Sequence, residues 1–115
     1  MARGEIWAVD IPAPKGKPGR EQLGMRPGIV VQADTADPRL PTTIVIPATS
    51  KKEAQRFPYT IMVQPSSQNG LDKASVLLAF QIRAIDKNRL IRKLGRLEDD
   101  HLKNLEMKIR SLLAI

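Results

Sequence analysis

Two short segments carry residue types that could cleave a phosphodiester bond. Residues 21–27 (EQLGMRP) contain the carboxylate of Glu21 and the guanidinium of Arg26, and residues 47–50 (PATS) contain the hydroxyl of Thr49. Each segment lies at the edge of an apolar, β-branched run, so strand ends could bring the three side chains into one cleft. A cation that stabilises negative charge, with an acid and a hydroxyl nearby, suits phosphodiester cleavage without a metal. A surface loop with an incidental salt bridge is the alternative, and spacing alone leaves both open.

Apolar runs separated by turn residues predict the strands that must position these groups. Six short strands are predicted, in residues 5–10, 29–31, 42–46, 59–63, 75–78 and 80–85. Residues 11–26 are predicted as a loop, Pro47 as the end of the third strand, and residues 51–56 as a second charged loop. Alternation in the sixth strand places Gln81 and Arg83 on one face. Short strands spaced by turns favour a small barrel or a strongly curved sheet.

The hydrophobic period becomes helical near the C-terminus. Asp86 can cap a short helix that Gly95 would close, and the acids at 98–100 can open a second helix. The apolar stripe of the second helix consists of Leu102, Leu105, Ile109, Leu112 and Leu113. With 115 residues, the chain is predicted to be a single domain, residues 1–115, of the α+β class with strands first and helices last.

Composition narrows the classes of partner and of location. Nineteen basic residues against twelve acidic ones give a net charge of +7, which favours nucleic acid or an acidic protein segment as partner. A solvated basic surface with no partner is the alternative. The absence of cysteine from the sequence excludes disulfides, thiolate catalysis and cysteine-based zinc sites. No apolar run approaches the roughly 18 residues of a membrane span and the N-terminus lacks a signal-peptide core, so the expected location is cytoplasmic.

An ordered set of segments extends over residues 3 to 113. It consists of residues 3–10 (RGEIWAVD), 21–31 (EQLGMRPGIVV), 44–50 (IVIPATS), 70–71 (GL), 81–86 (QIRAID) with 89–90 (RL), and 94–97 (LGRL). In this order the segments resemble the MazF/PemK (Kid) toxin family. The resemblance implies a small SH3-like β-barrel of the CcdB/MazF type with C-terminal helices. It also implies a dimeric endoribonuclease that cuts single-stranded RNA, often at short sequences, without metal, and that an acidic, partly disordered antitoxin inhibits.

The same resemblance assigns roles to three residues. Arg26 takes the place of the catalytic arginine, Thr49 that of the catalytic hydroxyl residue, and Glu21 matches an acidic position implicated in some members. Arginine suits the charge-stabilising role because its guanidinium binds phosphate in a bidentate way and stays charged. Thr49 could donate to a phosphoryl oxygen or tie down a turn, and Glu21 could accept the 2′-hydroxyl proton or orient Arg26. Many members have a basic residue before the arginine where this chain has Met25, so the proton donor and base stay unassigned.

Further polar residues are candidates for contacts with RNA. They are Lys15, Lys17, Arg20, Ser50, Lys51, Lys52, Gln81 and Arg83. The basic ones on the two loops would contact phosphates without reading sequence, and Gln81 with Arg83 could read a base, hold a phosphate, or be solvated. No His, Asp or Glu cluster has the spacing of metal ligands, so neither a metal nor a cofactor is expected.

Two other classes of function fit the same sequence. One is a CcdB-like poison that binds a topoisomerase without chemistry. It is expected to act through its C-terminal residues, whereas residues 111–115 here are predicted to be a core helix. The other is a non-catalytic basic module that binds RNA or an acidic peptide. Incubation with a long RNA in EDTA separates both from a nuclease.

Overall fold

A computed structural model describes residues 1–11 and 24–115 of the chain. In these residues an antiparallel sheet is followed by one helix, which confirms the predicted α+β class. The strands are β1 (Glu5–Ile11), β2 (Gly24–Val30), β3 (Thr42–Thr49), β4 (Thr60–Val63), β5 (Ser75–Leu78), β6 (Arg83–Asp86) and β7 (Leu90–Arg96), and the helix is α1 (Asp99–Leu113). Three short 3₁₀ turns occupy Lys52–Arg56, Ala79–Gln81 and Lys87–Arg89.

Strand β3 organises the sheet. The strand order is β4-β5-β3-β2-β1-β7. On the side of β3 away from β2, β6 pairs with the first half of the strand and β5 pairs with its last two residues. Among the described strands, β4 and β7 lie at the two ends of this path and do not pair with each other. The sheet is therefore open, and the predicted barrel describes it only loosely.

Apolar side chains cover both faces of the central strands. Alternation along β2 and β3 directs Ile29 and Ile46 to one cluster, where they meet Leu105 of α1. The same alternation directs Val30 and Val45 to a second cluster on the other face. Each such buried side chain stabilises the fold by about 1.5–3 kcal/mol. The centre of the sheet is consequently a firm base for groups carried at the strand ends.

Helix α1 begins where its acidic first turn predicts, and it packs through the predicted stripe. Leu105 and Ile109 are buried against the sheet. The prediction that the last five residues belong to the core is wrong, because Leu113 is half exposed and Ile115 is 80% exposed. The helix ends at Leu113, and the capping residue Ala114 adopts a left-handed conformation with φ 57°, so the chain changes direction there.

The predicted first C-terminal helix is wrong, and the structure has one helix in that region instead of two. Asp86 does cap a turn, since its Oδ1 accepts from the backbone N–H of Asn88 at 2.9 Å, but the turn is only Lys87–Arg89. Strand β7 follows and pairs with β1. Three apolar residues are a weak helical signal, and backbone pairing with a strand about 80 residues away outweighs it. Ile91, which a helix would bury, is 57% exposed.

The bounds of β2 and β3 also differ from prediction. Strand β2 begins at Gly24, so Arg26 belongs to a strand and not to the predicted loop. The remainder of that loop, residues 12–23, lies outside the described residues. Strand β3 continues through Pro47 to Thr49. Proline is tolerated there because one neighbour of β3 changes from β6 to β5 at this point, and the ladder on that side is already interrupted.

A buried polar network ties the turn before β5 to the start of α1. Asn69 is fully buried, and its Nδ2 donates to Glu98 Oε1 at 3.2 Å. Ser66 Oγ donates to the second oxygen of the same carboxylate at 2.6 Å. Gly70 follows with φ 69°, and a Cβ there would collide with the carbonyl oxygen of Leu94 on β7. The chain leaving this turn is thus held against β7, which fixes the residues that follow it.

The stability supplied by Glu98 is expected to depend on pH. Burial raises the pKa of its carboxyl, but hydrogen bonds, led by that from Ser66, outweigh burial and leave the pKa below its ordinary value. Such a group stabilises the fold above the ordinary pKa of about 4.3, and this contribution disappears as the pH falls through the lower folded-state pKa. Glu98→Gln should therefore lower the free energy of unfolding by about 1.5 kcal/mol at pH 7 and by less at pH 3.

Urea unfolding at the two pH values measures this difference. Asp100→Asn is the matched control, because it removes an exposed acid from the same end of α1. The control should change the free energy of unfolding by less than half as much at pH 7. An equal loss for Glu98→Gln at both pH values would contradict the role of the ionised carboxylate.

Candidate active site

Strands β2 and β3 separate at one end of the sheet, and a wedge opens between them. Their pairing stops at Gly28 opposite Pro47. Beyond that pair, β2 stays with β1 as far as Gly24, whereas β3 pairs with β5. Extending the register by two residues sets Arg26 on one side of the wedge across from Thr49 on the other. The two predicted catalytic side chains therefore start from facing positions on diverging strands.

A cleft of about 510 Å³ lies at this divergence. Four of the predicted site residues line it, and residues of β1, β5 and β7 and of the turn before β5 supply the rest of its walls. The polar residues lining it are Arg26, Thr49, Ser50, Lys51, Asp72, Lys73, Ser75 and Arg92, and the others are Ala8, Met25, Pro27, Ala48, Gly70, Leu71 and Leu94.

Arg26 is held by the sheet at its base and reaches the cleft with its side chain. Its backbone pairs with Val9, a fully buried residue of β1. Its Nη1 donates to the carbonyl oxygen of Met25 at 3.1 Å, and the side chain is partly buried. A guanidinium has five N–H donors in a planar fork, a geometry that matches the oxygens of a phosphate.

Thr49 presents a buried hydroxyl at the floor of the wedge. The residue is only 4% exposed, and its Oγ1 accepts from the backbone N–H of Lys51 at 3.2 Å. This bond uses a lone pair of the oxygen and leaves the hydroxyl proton to donate elsewhere. The contact also ties Lys51 to the strand end, which is the turn-anchoring role, and the hydroxyl proton is available for the predicted donor role.

The other predicted contacts divide into three groups. Ser50 and Lys51 are exposed and line the cleft. Lys52 begins the 3₁₀ turn Lys52–Arg56 and is outside the lining, as are Gln81 and Arg83. Only the second half of the predicted strand for residues 80–85 is found, as β6. Gln81 ends a 3₁₀ turn and Arg83 starts β6 opposite Val45, so the prediction that the two share a strand face is wrong. The last group, Lys15, Lys17, Arg20 and Glu21, lies outside the described residues.

Three charged residues of the cleft are missed by sequence reasoning. Arg92 lies on β7, whereas the sequence predicts a helix there. A helical pattern does not place Arg92 beside the cleft. Asp72 and Lys73 follow the buried turn at Asn69 and Gly70. A Gly-Leu turn followed by two charges just before a strand is the available signal for them. Whether Asp72 and Lys73 face the cleft depends on the contact of that turn with β7.

The cleft is suited to bind an anion. Its charged lining consists of four cations (Arg26, Lys51, Lys73 and Arg92) against one acid, Asp72. Cations that converge in a concave site focus potential and attract polyanions. Across residues 1–11 and 24–115, no group of three His, Asp or Glu side chains is placed to hold a metal ion. In the same residues, no helix has both the length and the apolarity to cross a membrane.

Comparisons with known proteins agree on one family. The family model described as a PemK-like, MazF-like toxin of type II toxin–antitoxin systems matches residues 2–113. An endoribonuclease MazF from Staphylococcus saprophyticus subsp. saprophyticus is 37% identical over 115 residues, covering 100% of this chain and 92% of that protein.

Solved structures of similar proteins share the fold. MazF from Deinococcus radiodurans superposes with a TM-score of 0.78 at 24% identity, covering 100% of this chain and 97% of that one. A mycobacterial endoribonuclease solved with its cognate antitoxin gives a TM-score of 0.76 at 16% identity, covering 100% and 96%. The predicted MazF-type fold is thereby confirmed.

Proposed function

The chain belongs to the PemK-like, MazF-like family of type II toxin–antitoxin toxins, and we propose that it is an endoribonuclease that cleaves single-stranded RNA without a metal. The observation that carries the proposal is the pair formed by Arg26 and Thr49, which face each other across a cationic cleft at diverging strand ends. The relative that is 37% identical and named an endoribonuclease supports the same reaction class.

The chemistry proposed for this cleft uses the 2′-hydroxyl of the RNA as nucleophile. Its oxygen forms a bond to phosphorus while the bond from phosphorus to the 5′-oxygen breaks, giving a 2′,3′-cyclic phosphate and a 5′-hydroxyl. Arg26 would neutralise the charge that develops on the non-bridging oxygens, through a bidentate contact. The hydroxyl of Thr49, whose oxygen is anchored by the N–H of Lys51, would donate to the same phosphoryl group.

Proton transfer is assigned to Glu21 in this proposal. A carboxylate can take the 2′-hydroxyl proton when it lies within hydrogen-bond reach of it, and the leaving 5′-oxygen takes up a proton from water to become the 5′-hydroxyl. Glu21 lies outside the described residues, so its assignment rests on the family resemblance and on its five-residue spacing from Arg26. The proposed RNA contacts of Lys15, Lys17, Arg20, Lys52, Gln81 and Arg83 rest on the sequence, whereas Ser50 and Lys51 are also supported by the cleft.

The proposal includes the protein partners of such a toxin. A second copy of the chain would complete a homodimer, and an antitoxin with an acidic segment would occupy the cationic cleft in competition with RNA. The net charge of +7 and the four cations of the cleft support an acidic inhibitor. The proposal also includes the predicted cytoplasmic location, where a toxin of this family would meet RNA.

Cleavage of a long RNA in EDTA tests the reaction class. We expect cleavage at a limited set of sequences, with unchanged rate in EDTA, because the proposed steps use only side chains and the RNA itself. The upstream products should end in a 2′,3′-cyclic phosphate or its opened 3′-phosphate, and the downstream products should begin with a 5′-hydroxyl. End-specific labelling and ligation measure these groups.

Two outcomes of this experiment would count against the proposal. Products with 5′-phosphate ends would contradict attack by the 2′-hydroxyl. Absence of cleavage would instead favour a CcdB-like poison or a non-catalytic binding module, neither of which breaks a bond in RNA. An Arg26→Ala preparation purified in the same way identifies any contaminating nuclease.

A further inference from the structure

The cations of β7 and of the turn before it differ in their contacts. Arg89, Lys93 and Arg96 are engaged within the protein: Arg89 Nη1 with Asp10 Oδ2 at 3.3 Å, Lys93 Nζ with Glu5 Oε2 at 3.2 Å, and Arg96 Nη1 with the carbonyl oxygen of Arg3 at 2.8 Å. The side chain of Arg92, by contrast, has no hydrogen bond or ion pair to any residue in 1–11 or 24–115. It is also the one that lines the cleft.

The position of Arg92 relative to the catalytic pair follows from strand register. Arg92 lies opposite Ala8 on β1, and Ala8 lies opposite Pro27 on β2. These three residues form a row across the sheet, so Arg92 is two strands away from β2, about 10 Å at the usual inter-strand spacing. Its side chain is exposed, and it enters the cleft on the β7 side, whereas Thr49 enters it from β3.

We propose that Arg92 binds a phosphate of the RNA strand next to the scissile one, and so fixes how the strand lies across the cleft. This inference rests on the proposed endoribonuclease function and extends it to the path of the substrate. An exposed guanidinium in a cleft for a polyanion offers a planar fork that matches phosphate. Arg26 and Thr49 face each other, two and three strands away from Arg92. The scissile phosphate is therefore assigned to Arg26 and Thr49, and the neighbouring phosphate to Arg92. Lys73 adds a further charge along the lining.

Binding of an uncleavable RNA, with a 2′-deoxy nucleotide at the cut site, tests the contact. Arg92→Gln should weaken binding roughly tenfold, the scale of a hydrogen bond to a charged group. The slope of log affinity against log salt should fall by about 0.7, the amount for one phosphate contact on a single strand. On cleavable RNA, KM should rise by a similar factor while kcat stays within about threefold, because the contact is made in the ground state and the transition state alike.

Two variants provide the controls. Lys93→Gln removes the same charge from the adjacent position, where the side chain already pairs with Glu5. It should leave both the affinity and the salt slope near those of the wild type. Arg92→Lys keeps a point charge but loses the fork, so it should restore the salt slope and only part of the affinity. Thermal unfolding of each variant checks that the sheet is intact.

Neutral methylphosphonates placed one at a time along the RNA identify the contacted phosphate. At one position beside the cut site, neutralisation should weaken wild-type binding but not that of Arg92→Gln, because the variant has already lost that contact. An unchanged affinity and slope for Arg92→Gln would overturn the inference, as would equal losses for Arg92→Gln and Lys93→Gln. If the wild type cleaves RNA and Arg92→Gln binds and cleaves it equally well, this inference is overturned and the proposed function is retained. A wild type that neither binds nor cleaves RNA overturns the proposed function as well.

Discussion

Replacement of Arg26 by alanine is expected to reduce RNA cleavage by about 10²- to 10³-fold, the scale for removing one group that stabilises transition-state charge. The loss should appear in kcat as well as in kcat/KM, because negative charge on the phosphoryl oxygens increases as the 2′-oxygen attacks. Binding of an uncleavable RNA should weaken much less. Single-turnover cleavage of a short RNA measures the chemical step directly.

The fold of the Arg26→Ala variant should be preserved. Arg26 is only partly buried and lies where β2 separates from β3, whereas the core contacts of β2 are made by Ile29 and Val30. Arg39→Ala is a suitable control, since Arg39 is exposed and pairs with Asp37 in a turn outside the cleft lining. Cleavage by Arg26→Ala within threefold of the wild type would remove Arg26 from the catalytic role.

Much of the sheet could be predicted from local sequence. Alternation and β-branched runs locate β1, the end of β2 and the first part of β3, because those strands bury side chains on both faces. The same patterns give a wrong prediction at β7. This strand forms because it pairs with β1, a distant part of the chain, and the pairing leaves Ile91 exposed. Residues 90–94 carry no local signal strong enough to reveal that contact.

The candidate residues of the site could be predicted from residue types, whereas most of its geometry could not. Residue types pointed to Arg26 and Thr49, and the structure brings them to facing positions. Their meeting depends on the continuation of β3 through Pro47, which local rules treat as the end of a strand. Arg92 could not be placed without the register of β7. Asp72 and Lys73 depend on the buried Asn69–Glu98 network that holds the preceding turn.

A single 2′-deoxy nucleotide at the cut site should abolish cleavage there. The proposed reaction has no other nucleophile, because the oxygen that attacks phosphorus belongs to the RNA and the side chains only move protons and stabilise charge. The expected loss therefore exceeds that of Arg26→Ala, which leaves the nucleophile in place. Cleavage of an otherwise identical RNA, followed by gel electrophoresis over long incubations, measures the residual rate.

The 2′-deoxy nucleotide should barely affect the binding of the RNA. Lost cleavage with retained binding would show that the modification acts on the chemical step. The phosphate contacts proposed for Arg26, Lys51 and Arg92 do not involve the 2′-hydroxyl, so competition of the deoxy-substituted RNA against the unmodified one should give affinities within a few-fold. An RNA whose 2′-deoxy nucleotide lies one position away from the cut site should be cleaved normally, because the 2′-oxygen in line with the scissile phosphate is retained. Cleavage at the substituted position would require a water molecule as nucleophile, and Arg26 and Thr49 would then serve a different reaction.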